Sequence, residues 1–454
     1  MKENNINISA MLHGRFDFAI NLYNQTINHF RFPTYKLSDL LLTNPQYGAN
    51  ESGIERKSCA EPRYIRITDI DEFGILNSAI GVTAANIEEK YFLENNDIII
   101  ARSGATVGKS YIHKKDKFDY ICFFAGYMIR FKVNPELILP DFLFIYTQLN
   151  PYKQWISAIQ RTTGQPNINA EEYKSLKIPL PPKEIQQQIV DLYNHAVKEK
   201  QAKEQEAKAL LDSIDNYLLK ELWIELPENI RNERYFEVNV AELIGGRYDT
   251  IYYKDVYRRT LYVTEKFKTK LGNYITTINY GASVSNSYVE CGIPFLRIKD
   301  LLPNEIKKND IVFLPEEMKE QLLTSLVKKD DFLISRSGTI GVTAIVDEEF
   351  DNYAFGSFMI RFSTKNIDRD FLSYYINSTI GKLYFERNKI GAIQGNITIP
   401  TIKNLPIPDI SIEKQSKISK YIQSVQTKAK QLQQEAMDTL EKAKREVERM
   451  IENG

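Results

Sequence analysis

The segment that comes nearest to a catalytic motif is a glycine-bounded loop, Gly104–Ser110, which ends in a lysine and a serine. A nucleotide-binding phosphate loop has four residues between its two glycines, so that backbone N–H groups surround the phosphates. Only three residues separate Gly104 from Gly108, and the similar stretch Gly338–Val342 contains no lysine. We therefore expect both segments to be tight hairpin turns rather than nucleotide sites.

Other residue types that catalysis or metal binding would need are isolated. Asn44-Pro45-Gln46-Tyr47 approaches the Asn-Pro-Pro-Tyr loop of adenine methyltransferases, but its third residue differs and no glycine-rich methyl-donor motif accompanies it. The glutamates before Lys90 form too common a pattern to indicate a nuclease. The histidines are scattered, without the spacing of metal ligands: His13, His29, His113 and His195. We predict a non-catalytic chain with no metal and no cofactor of its own.

The elements that position these residues occur twice, because the sequence is internally duplicated. Short motifs of the first half return in the second half, in the same order and at a nearly constant separation. The first copies are Gly14-Arg15-Phe16-Asp17, Tyr47-Gly48-Ala49, Arg66-Ile67-Thr68-Asp69, Arg102-Ser103-Gly104 and Met128-Ile129-Arg130-Phe131. The second copies are Gly246-Arg247-Tyr248-Asp249, Tyr280-Gly281-Ala282, Arg297-Ile298-Lys299-Asp300, Arg336-Ser337-Gly338 and Met359-Ile360-Arg361-Phe362. So long a period is a whole domain, and we expect two similar lobes related by a pseudo-twofold axis.

The composition is that of an ordinary globular protein. The 454 residues are 43% hydrophobic and include 59 basic and 59 acidic side chains. No apolar run approaches the roughly 18 residues of a membrane span, and the N-terminal residues do not resemble a signal peptide. Three cysteines without Cys-x-x-Cys spacing favour a cytoplasmic location. Zero net charge argues against non-specific coating of nucleic acid, but a sequence-specific reader can carry local basic groups.

Each half passes from a β-rich stretch into a long helix. Lys183–Leu222 has no glycine or proline, which predicts a helix of about 60 Å at 1.5 Å per residue. Its apolar seam is interrupted by a polar middle: Ile185, Ile189, Leu192 and Ala196, then Leu210, Ile214 and Leu218. The stretch Ile412–Ile451 follows heptad spacing throughout: Ile418, Ile422, Val425, Ala429, Leu432, Ala436, Thr439, Ala443 and Met450. We expect the two helices to pack antiparallel; the alternative is that each folds back on its own lobe.

The expected fold class is therefore α+β. Two similar β-rich domains follow one another in tandem, and each leads into a long helix of an antiparallel coiled coil. The expected boundaries are residues 1–182 for the first domain, 183–226 for a central spacer helix, 227–411 for the second domain and 412–454 for a C-terminal coiled-coil helix.

At the joints between domain and helix the sequence resembles a known family. Ile178-Pro179-Leu180-Pro181-Pro182 leads through Glu184 and Gln186 to Ile189, and Leu405-Pro406-Ile407-Pro408 leads through Glu413 and Gln415 to Ile418. With the duplication and the repeated Arg-Ser-Gly and Met-Ile-Arg-Phe motifs, these joints resemble the specificity subunits of Type I restriction-modification systems over nearly the whole chain.

The resemblance implies a division of labour between subunits. Each lobe would be a target-recognition domain that reads one half of a bipartite, asymmetric site in double-stranded DNA. The helices would set the distance between the halves and dock two methyltransferase subunits, and motor-nuclease subunits would join them. S-adenosylmethionine, ATP and Mg²⁺ would be bound by these partner subunits, not by this chain.

Comparison of the lobes separates scaffold residues from candidate readers. Residues that match should be scaffold, which makes Arg130 and Arg361 structural or backbone contacts. Polar loops that differ at equivalent places are free to read different bases, since arginine pairs with guanine and asparagine or glutamine with adenine. The candidate readers are Arg56, Lys57, Arg161, Gln165 and Asn167 in the first lobe and Ser285, Asn286, Tyr288, Arg387, Gln394 and Asn396 in the second. The hairpin residues suited to phosphate are Arg102, Lys109 and Arg336.

Two other classes of function fit part of the pattern. A tandem scaffold that binds two proteins and no DNA would need the same duplication and helices. An enzyme with duplicated half-sites lacks any paired nucleophile or acid–base set in the sequence. A positive face on each lobe would favour the DNA reader over the scaffold.

Overall fold

The computed structural model describes the chain in segments separated by short gaps. The described residues are 23, 29–77, 79–160, 166–227, 237–244, 247–285, 288–391 and 395–452. They form two compact units. Unit 1 contains the described residues up to Glu204 together with those from Gln433 onward, and unit 2 spans Gln205–Leu432. The motif Gly14–Asp17 and residue Gly246 lie outside the described residues.

Unit 1 is built on three sheets. Its strands are β1 (Thr34–Lys36), β2 (Gln46–Tyr47), β3 (Ile54–Glu55), β4 (Arg63–Ile65), β5 (Val82–Thr83), β6 (Ile98–Ala101), β7 (Ser110–Ile112), β8 (Cys122–Phe124), β9 (Met128–Phe131) and β10 (Lys177–Pro179). The sheet orders are β2-β9-β6-β7, β3-β5-β4-β8 and β1-β10. The helices are α1 (Leu37–Leu40), α2 (Pro140–Tyr146), α3 (Asn150–Ile159), α4 (Ala170–Lys174) and the start of α5 (Lys183–Glu221).

Unit 2 repeats this plan. Its strands are β11 (Thr269–Lys270), β12 (Ile275–Tyr280), β13 (Ile293–Leu296), β14 (Leu301–Leu302), β15 (Glu305–Ile306), β16 (Val312–Leu314), β17 (Phe332–Ser335), β18 (Thr343–Ile345), β19 (Ala354–Phe355), β20 (Met359–Thr364) and β21 (Pro406–Ile407). The sheet orders are β12-β20-β17-β18, β16-β13-β19, β14-β15 and β11-β21. The helices are α6 (Val240–Leu243), α7 (Asp255–Tyr262), α8 (Lys319–Leu322), α9 (Arg369–Asn377), α10 (Thr379–Asn388), α11 (Ile399–Lys403) and α12 (Ile412–Ile451).

The matching order of strands confirms the duplicated α+β fold. Each four-stranded sheet beginning with β2 or β12 pairs the Met-Ile-Arg-Phe strand with a central apolar strand, so that Ile99 lies opposite Arg130 and Leu333 opposite Arg361. The pairing of β4 with β8 is parallel, as is that of β13 with β19. The same register in both units places the repeated motifs at equivalent points.

The central strand of each sheet is buried on both faces, which explains its unbroken apolar sequence. In β6, Ile98 and Ile100 pack with α2 and α3, whereas Ile99 packs against the second sheet. In β17, Phe332 and Ile334 likewise face helices, and Leu333 faces the opposite cluster. The alternation is the two-residue period of a strand.

The glycine-bounded loops are hairpin turns, as the sequence predicts. Strands β6 and β7 are antiparallel, with Ile100 opposite Ser110, and β17 and β18 are joined in the same way. Gly104 and Gly108 both have φ of 88°, a left-handed conformation that other residues adopt only with strain. The loop thus closes a hairpin instead of opening a helix, the context that a phosphate loop requires.

The long helices have nearly the predicted bounds and pair within each unit. In unit 2, the rings of Tyr217 in α5 and Tyr421 in α12 are in contact, with their centres 4.0 Å apart, and Glu221 pairs with Lys414. Residue numbers therefore rise along one helix as they fall along the other, which makes the pair antiparallel. In unit 1, Lys203 Nζ lies 2.6 Å from Glu435 Oε2.

The helix seam differs from the sequence expectation at its ends. The sequence predicts Thr439 and Met450 as seam residues, but both are only partly buried. The buried residues in this part of α12 are Leu440, Val447 and Ile451, because the helix also packs on the apolar core of unit 1 there. In α5, Tyr193 replaces Leu192 as the buried residue. The seam then continues through the polar middle, since Lys200 is only 4% exposed. None of the helices in the described segments has the length and apolar character needed to cross a bilayer.

Candidate nucleic-acid interface

Three motifs that the sequence repeats lie side by side on the surface of unit 1. Ala49, which ends the Tyr-Gly-Ala motif, forms a parallel bridge with Ala125 and accepts a 2.7 Å hydrogen bond from the Gly126 N–H. The N–H of Arg102 donates to the carbonyl of Tyr127 over 2.9 Å. The β2 end, the turn between β8 and β9 and the β6 end thus meet at one place.

Unit 2 builds the same junction from the second copies. Ala282 bridges Gly356 and accepts a 2.8 Å hydrogen bond from the Ser357 N–H. The Arg336 N–H donates to the carbonyl of Phe358 over 2.9 Å.

Glycine in the Tyr-Gly-Ala motif is required by the close approach of two backbones. A Cβ on Gly48 would lie 2.4 Å from the carbonyl oxygens of Phe124 and Ala125. A Cβ on Gly281 would lie 2.3 Å from the carbonyl oxygen of Gly356. These distances are far below van der Waals contact, so only glycine lets the strand end reach the turn.

In each unit an arginine side chain stacks on a tyrosine ring at this junction. The guanidinium carbon of Arg102 lies 5.0 Å from the centre of the Tyr47 ring, and that of Arg336 lies 4.9 Å from the centre of the Tyr280 ring. Such cation–π contacts orient the guanidinium without neutralising its charge. Both tyrosine rings are exposed, so each arginine–tyrosine pair faces solvent.

The arginine Nε atoms are a second shared feature. Nε of Arg102 and Nε of Arg336 are both buried and lack a hydrogen-bond partner among the described residues. The remaining guanidinium nitrogens give each side chain further donors, the geometry that binds phosphate and planar base edges.

An asparagine completes the junction in each unit. Asn167 forms a backbone bridge with Ser103, and Asn396 forms one with Ser337. The next residue's N–H donates to the arginine carbonyl, at 2.8 Å for Ile168 to Arg102 and 2.9 Å for Ile397 to Arg336. We call these equivalent surfaces the Tyr–Arg clusters; they comprise Tyr47, Arg102, Tyr127 and Asn167 in unit 1 and Tyr280, Arg336, Phe358 and Asn396 in unit 2.

The asparagines belong to a repeat that the sequence comparison missed. Gln165-Pro166-Asn167-Ile168 matches Gln394-Gly395-Asn396-Ile397 at every position except the second. By the criterion that matching residues are common to both lobes, Asn167 and Asn396 belong to the shared part of the surface and not to its variable loops. The short length of this repeat hid it between two loops of different sequence.

Arg56, a candidate base reader, is buried inside unit 1. It is only 2% exposed, and its guanidinium donates to the backbone carbonyls of Glu61, Ile80 and Cys59 at 2.7, 2.9 and 2.8 Å. It also lies 4.0 Å from the centre of the Tyr120 ring. The side chain holds its own loop together from inside unit 1.

Lys109 and Arg387 are also engaged within their own units. Lys109 Nζ donates to the carbonyl of Ile70 over 2.5 Å. Arg387 donates to the carbonyl of Tyr252 and stacks 4.2 Å from the centre of its ring. These contacts oppose the expected phosphate-binding and base-reading roles.

The remaining candidates divide by their placement. Lys57, Ser285 and Tyr288 are exposed, and the Tyr288 ring lies 6.0 Å from the guanidinium carbon of Arg297. Four candidates lie outside the described residues: Arg161, Gln165, Asn286 and Gln394.

Arg130 and Arg361 occupy structural positions, as expected from their identity in the two lobes. Arg130 Nη1 lies 3.3 Å from Asp97 Oδ2 and donates to the carbonyl of Phe92. Arg361 Nη1 lies 3.6 Å from Asp331 Oδ2. Each arginine ties its sheet to the turn before the central strand.

The chain is similar to one family along two stretches. Residues 61–209 and 266–442 match the family model described as the Type I restriction modification DNA specificity domain. The MjaVIII specificity subunit of Methanocaldococcus jannaschii is 22% identical over 397 residues, covering 84% of this chain and 83% of that protein. The EcoBI specificity subunit of Escherichia coli is 23% identical over 309 residues, 65% of this chain and 61% of the relative. A Type I system S subunit structure from M. genitalium aligns over 93% of this chain and 97% of its own, with 14% identity and a TM-score of 0.43.

Proposed function

Since the chain belongs to the Type I restriction modification DNA specificity family, matched in both of its halves, we propose that it is the DNA-reading subunit of a Type I restriction-modification complex. Unit 1 and unit 2 each recognise one half of a bipartite, asymmetric site in double-stranded DNA. The long helices set the spacing of the halves and dock two methyltransferase subunits. Catalysis is the work of the partner subunits, which bind S-adenosylmethionine, ATP and Mg²⁺ in the cytoplasm.

The observation that carries this proposal is the pair of Tyr–Arg clusters. The same arginine, tyrosine and asparagine recur in equivalent geometry, whereas the polar loops that adjoin them differ in sequence. A shared cationic surface suits the phosphate backbone, which is the same at every site. Variable loops suit base edges, which differ between the two half-sites.

In unit 1, hydrogen bonds anchor the ends of these loops to the cluster. The loop that follows Ala49 is anchored by the Tyr64 hydroxyl, which donates to the Ala49 carbonyl over 2.7 Å. The loop that ends at Asn167 is held by the Gly104 N–H, which donates to the Pro166 carbonyl over 3.1 Å. A duplex bound at the cluster would therefore lie near the anchored ends of these loops. Among the described residues, the exposed candidates to read it are Lys57 in unit 1 and Ser285 and Tyr288 in unit 2.

The test is single-molecule sequencing of adenine methylation in host DNA with and without this gene. We expect a split, asymmetric motif whose methylation is lost on deletion and restored by the gene on a plasmid. An unchanged methylome, with the methyltransferase subunit shown to be expressed, would contradict the proposal and favour a scaffold that binds two proteins and no DNA.

A further inference from the structure

Each Tyr–Arg cluster presents an aromatic ring at an unusual position, the tip of a β-turn. Tyr127 lies in the turn closed by the Met128 N–H donating to the Ala125 carbonyl over 2.9 Å. Phe358 lies in the equivalent turn, closed by the Met359 N–H donating to the Gly356 carbonyl over 3.0 Å. Turns favour glycine, asparagine, aspartate and serine, so an aromatic residue at the same turn position in both units calls for a reason other than turn formation.

Both rings project from otherwise buried surroundings. Tyr127 is 37% exposed and Phe358 is 53% exposed, although Phe124, Met128, Phe355 and Met359 beside them are fully buried. Exposure of a large apolar ring next to a well-packed core forgoes stabilisation that burial would supply. Single exposed apolar residues are common, but here one recurs in equivalent places beside the same cationic side chain.

The turns are held rigidly. The carbonyl of each aromatic residue accepts the arginine N–H of the cluster, and the glycine of the Tyr-Gly-Ala motif packs against the turn backbone. The backbone that carries each ring is therefore fixed in place before any ligand arrives. In unit 1, burial raises the pKa of the Tyr127 hydroxyl, so that the phenol stays neutral at physiological pH.

We propose that Phe358 in unit 2, and Tyr127 in unit 1, are wedges that press into the base stack at each half-site and partly unstack it. This inference rests on the proposed function, because it places duplex DNA on the Tyr–Arg clusters. Arg336 and Arg102 hold the phosphate backbone while the neighbouring ring contacts the bases. Apolar side chains that enter a base step in this way kink the duplex and lower the cost of taking a base out of the stack.

Through these rings the chain would assist the reaction of its methyltransferase partners. A methyltransferase that acts on adenine must extrude the base from the duplex, which costs a few kcal/mol of stacking and pairing. A wedge on the reading subunit would deform the DNA and so lower the free energy needed to extrude the base. The aromatic residue thus acts through the DNA, and it is a positioning residue rather than a catalytic one.

The experiment uses the full chain assembled with its methyltransferase subunits. The duplex carries the motif that the complex methylates, with its target adenines still unmethylated. The adenine analogue 2-aminopurine is placed in turn at each position of the half-site read by unit 2, since its fluorescence rises on unstacking. We expect the wild-type complex to raise the 2-aminopurine fluorescence at one base step of the half-site. Phe358→Ala should abolish that rise and slow methylation about tenfold, with less than about a threefold change in DNA affinity.

Three further variants distinguish a wedge from a general packing role. Phe358→Leu keeps an apolar side chain able to enter the stack and should retain most of the rise. Leu323→Ala removes another exposed apolar residue of unit 2 and should leave fluorescence and methylation unchanged. Tyr127→Ala should act only on the other half-site.

Three results would overturn the inference. One is an unaltered fluorescence rise with Phe358→Ala. Another is loss of the methyltransferase subunits from the Phe358→Ala complex on size-exclusion chromatography, which would assign the ring to a protein contact. The third is that the wild-type complex does not prefer the motif duplex over other duplexes. That result would refute the proposed function itself, and it can be told apart from failure of the wedge because it is obtained without any variant.

Discussion

At the scale of single residues, the two stacked arginines carry the DNA-binding hypothesis. Arg102 and Arg336 lie over Tyr47 and Tyr280 with nearly the same separation, and their Nε atoms are buried alike. A guanidinium that is already oriented loses less side-chain entropy when it binds a phosphate than a free one does. Because the geometry is the same in both units, we expect these contacts to be independent of DNA sequence.

This expectation can be tested with Arg102→Ala and Arg336→Ala, singly and together. Each substitution should weaken binding by a similar factor on all duplexes. It should also make the negative slope of log K against log salt shallower by about one. The measurement is fluorescence anisotropy of the assembled complex over a range of KCl concentrations. Lys417→Ala, which removes one exposed charge from α12, is the matched control. A loss confined to one half-site would instead identify the arginine as a base reader.

The burial of Arg56 could not be predicted from the sequence. In the sequence it stands in a polar loop with Lys57 and Ser58, which is equally typical of a solvated reading loop and of a loop folded around a buried arginine. The difference depends on the carbonyls of Glu61, Ile80 and Cys59, which only the folded chain brings together. Replacing Arg56 with a residue that cannot donate to these carbonyls should lower the free energy of unfolding of unit 1 by a few kcal/mol. A change of DNA specificity with an unchanged free energy of unfolding would contradict a structural role for Arg56.

At the scale of elements, the long helices were the most predictable part of the chain. The absence of glycine and proline fixed Lys183 as the start of α5 and placed its end within one residue of Glu221. Helix α12 begins at the predicted Ile412 and covers the heptad stretch Ile412–Ile451. Helix length follows from local sequence, whereas the identity of the seam residues depends on what the helix packs against. Residues Val447 and Ile451 are buried because they meet the core of unit 1.

The polar middle of α5 is explained by an aromatic residue from a loop. In unit 1 the Phe73 ring lies between two ammonium groups, 4.4 Å from Lys200 Nζ and 5.1 Å from Lys444 Nζ. Lys200 Nζ also lies 2.7 Å from Glu204 Oε1, and Lys444 Nζ 2.8 Å from Glu441 Oε1. The two lysines occupy buried seam positions, and Phe73 fixes the β-rich part of unit 1 to both helices.

A double-mutant cycle between Phe73→Leu and Lys200→Met tests this contact. We expect a coupling free energy of about 1–2 kcal/mol, because leucine keeps the apolar volume but lacks the ring face that attracts the ammonium. The measurement is urea unfolding of the full chain, followed through the transition of unit 1. Lys208→Met, at an exposed position on the same helix, should show no coupling to Phe73→Leu. Purely additive effects at Lys200 would mean that the contact contributes only packing.

Each long helix also caps a helix of the unit in which it ends. Glu448 of α12 accepts a 2.7 Å hydrogen bond from the Asn150 N–H at the start of α3. Asp215 of α5 accepts a 2.9 Å hydrogen bond from the Thr379 N–H at the start of α10. A carboxylate at a helix N-terminus satisfies a free donor and interacts favourably with the helix dipole. Each unit is therefore completed by the end of a helix that begins in the other.

At the scale of the whole molecule, duplication explains both what the sequence predicts and what it does not. Comparison of the two halves predicted a repeated fold, hairpin turns in place of a nucleotide site and structural roles for Arg130 and Arg361. It did not predict that the residues of each Tyr–Arg cluster lie together, because they come from separate short motifs and no single motif indicates the others. Only the pairing of strand ends brings Tyr47, Arg102 and Tyr127 together.

The proposal that two independent readers are spaced by helices makes one decisive measurement possible. Seven residues of helix-forming sequence are inserted after Glu204 and seven after Leu432, where α5 and α12 pass between unit 1 and unit 2. A whole heptad keeps the 4-3 seam in phase and lengthens each helix by about 10 Å, or about three base pairs of duplex. The methylated motif is then read by single-molecule sequencing of DNA from cells that express the variant with its methyltransferase subunits. We expect both half-sites to keep their sequences and the gap between them to change; an altered half-site, or methylation retained with the gap unchanged, would contradict the proposal.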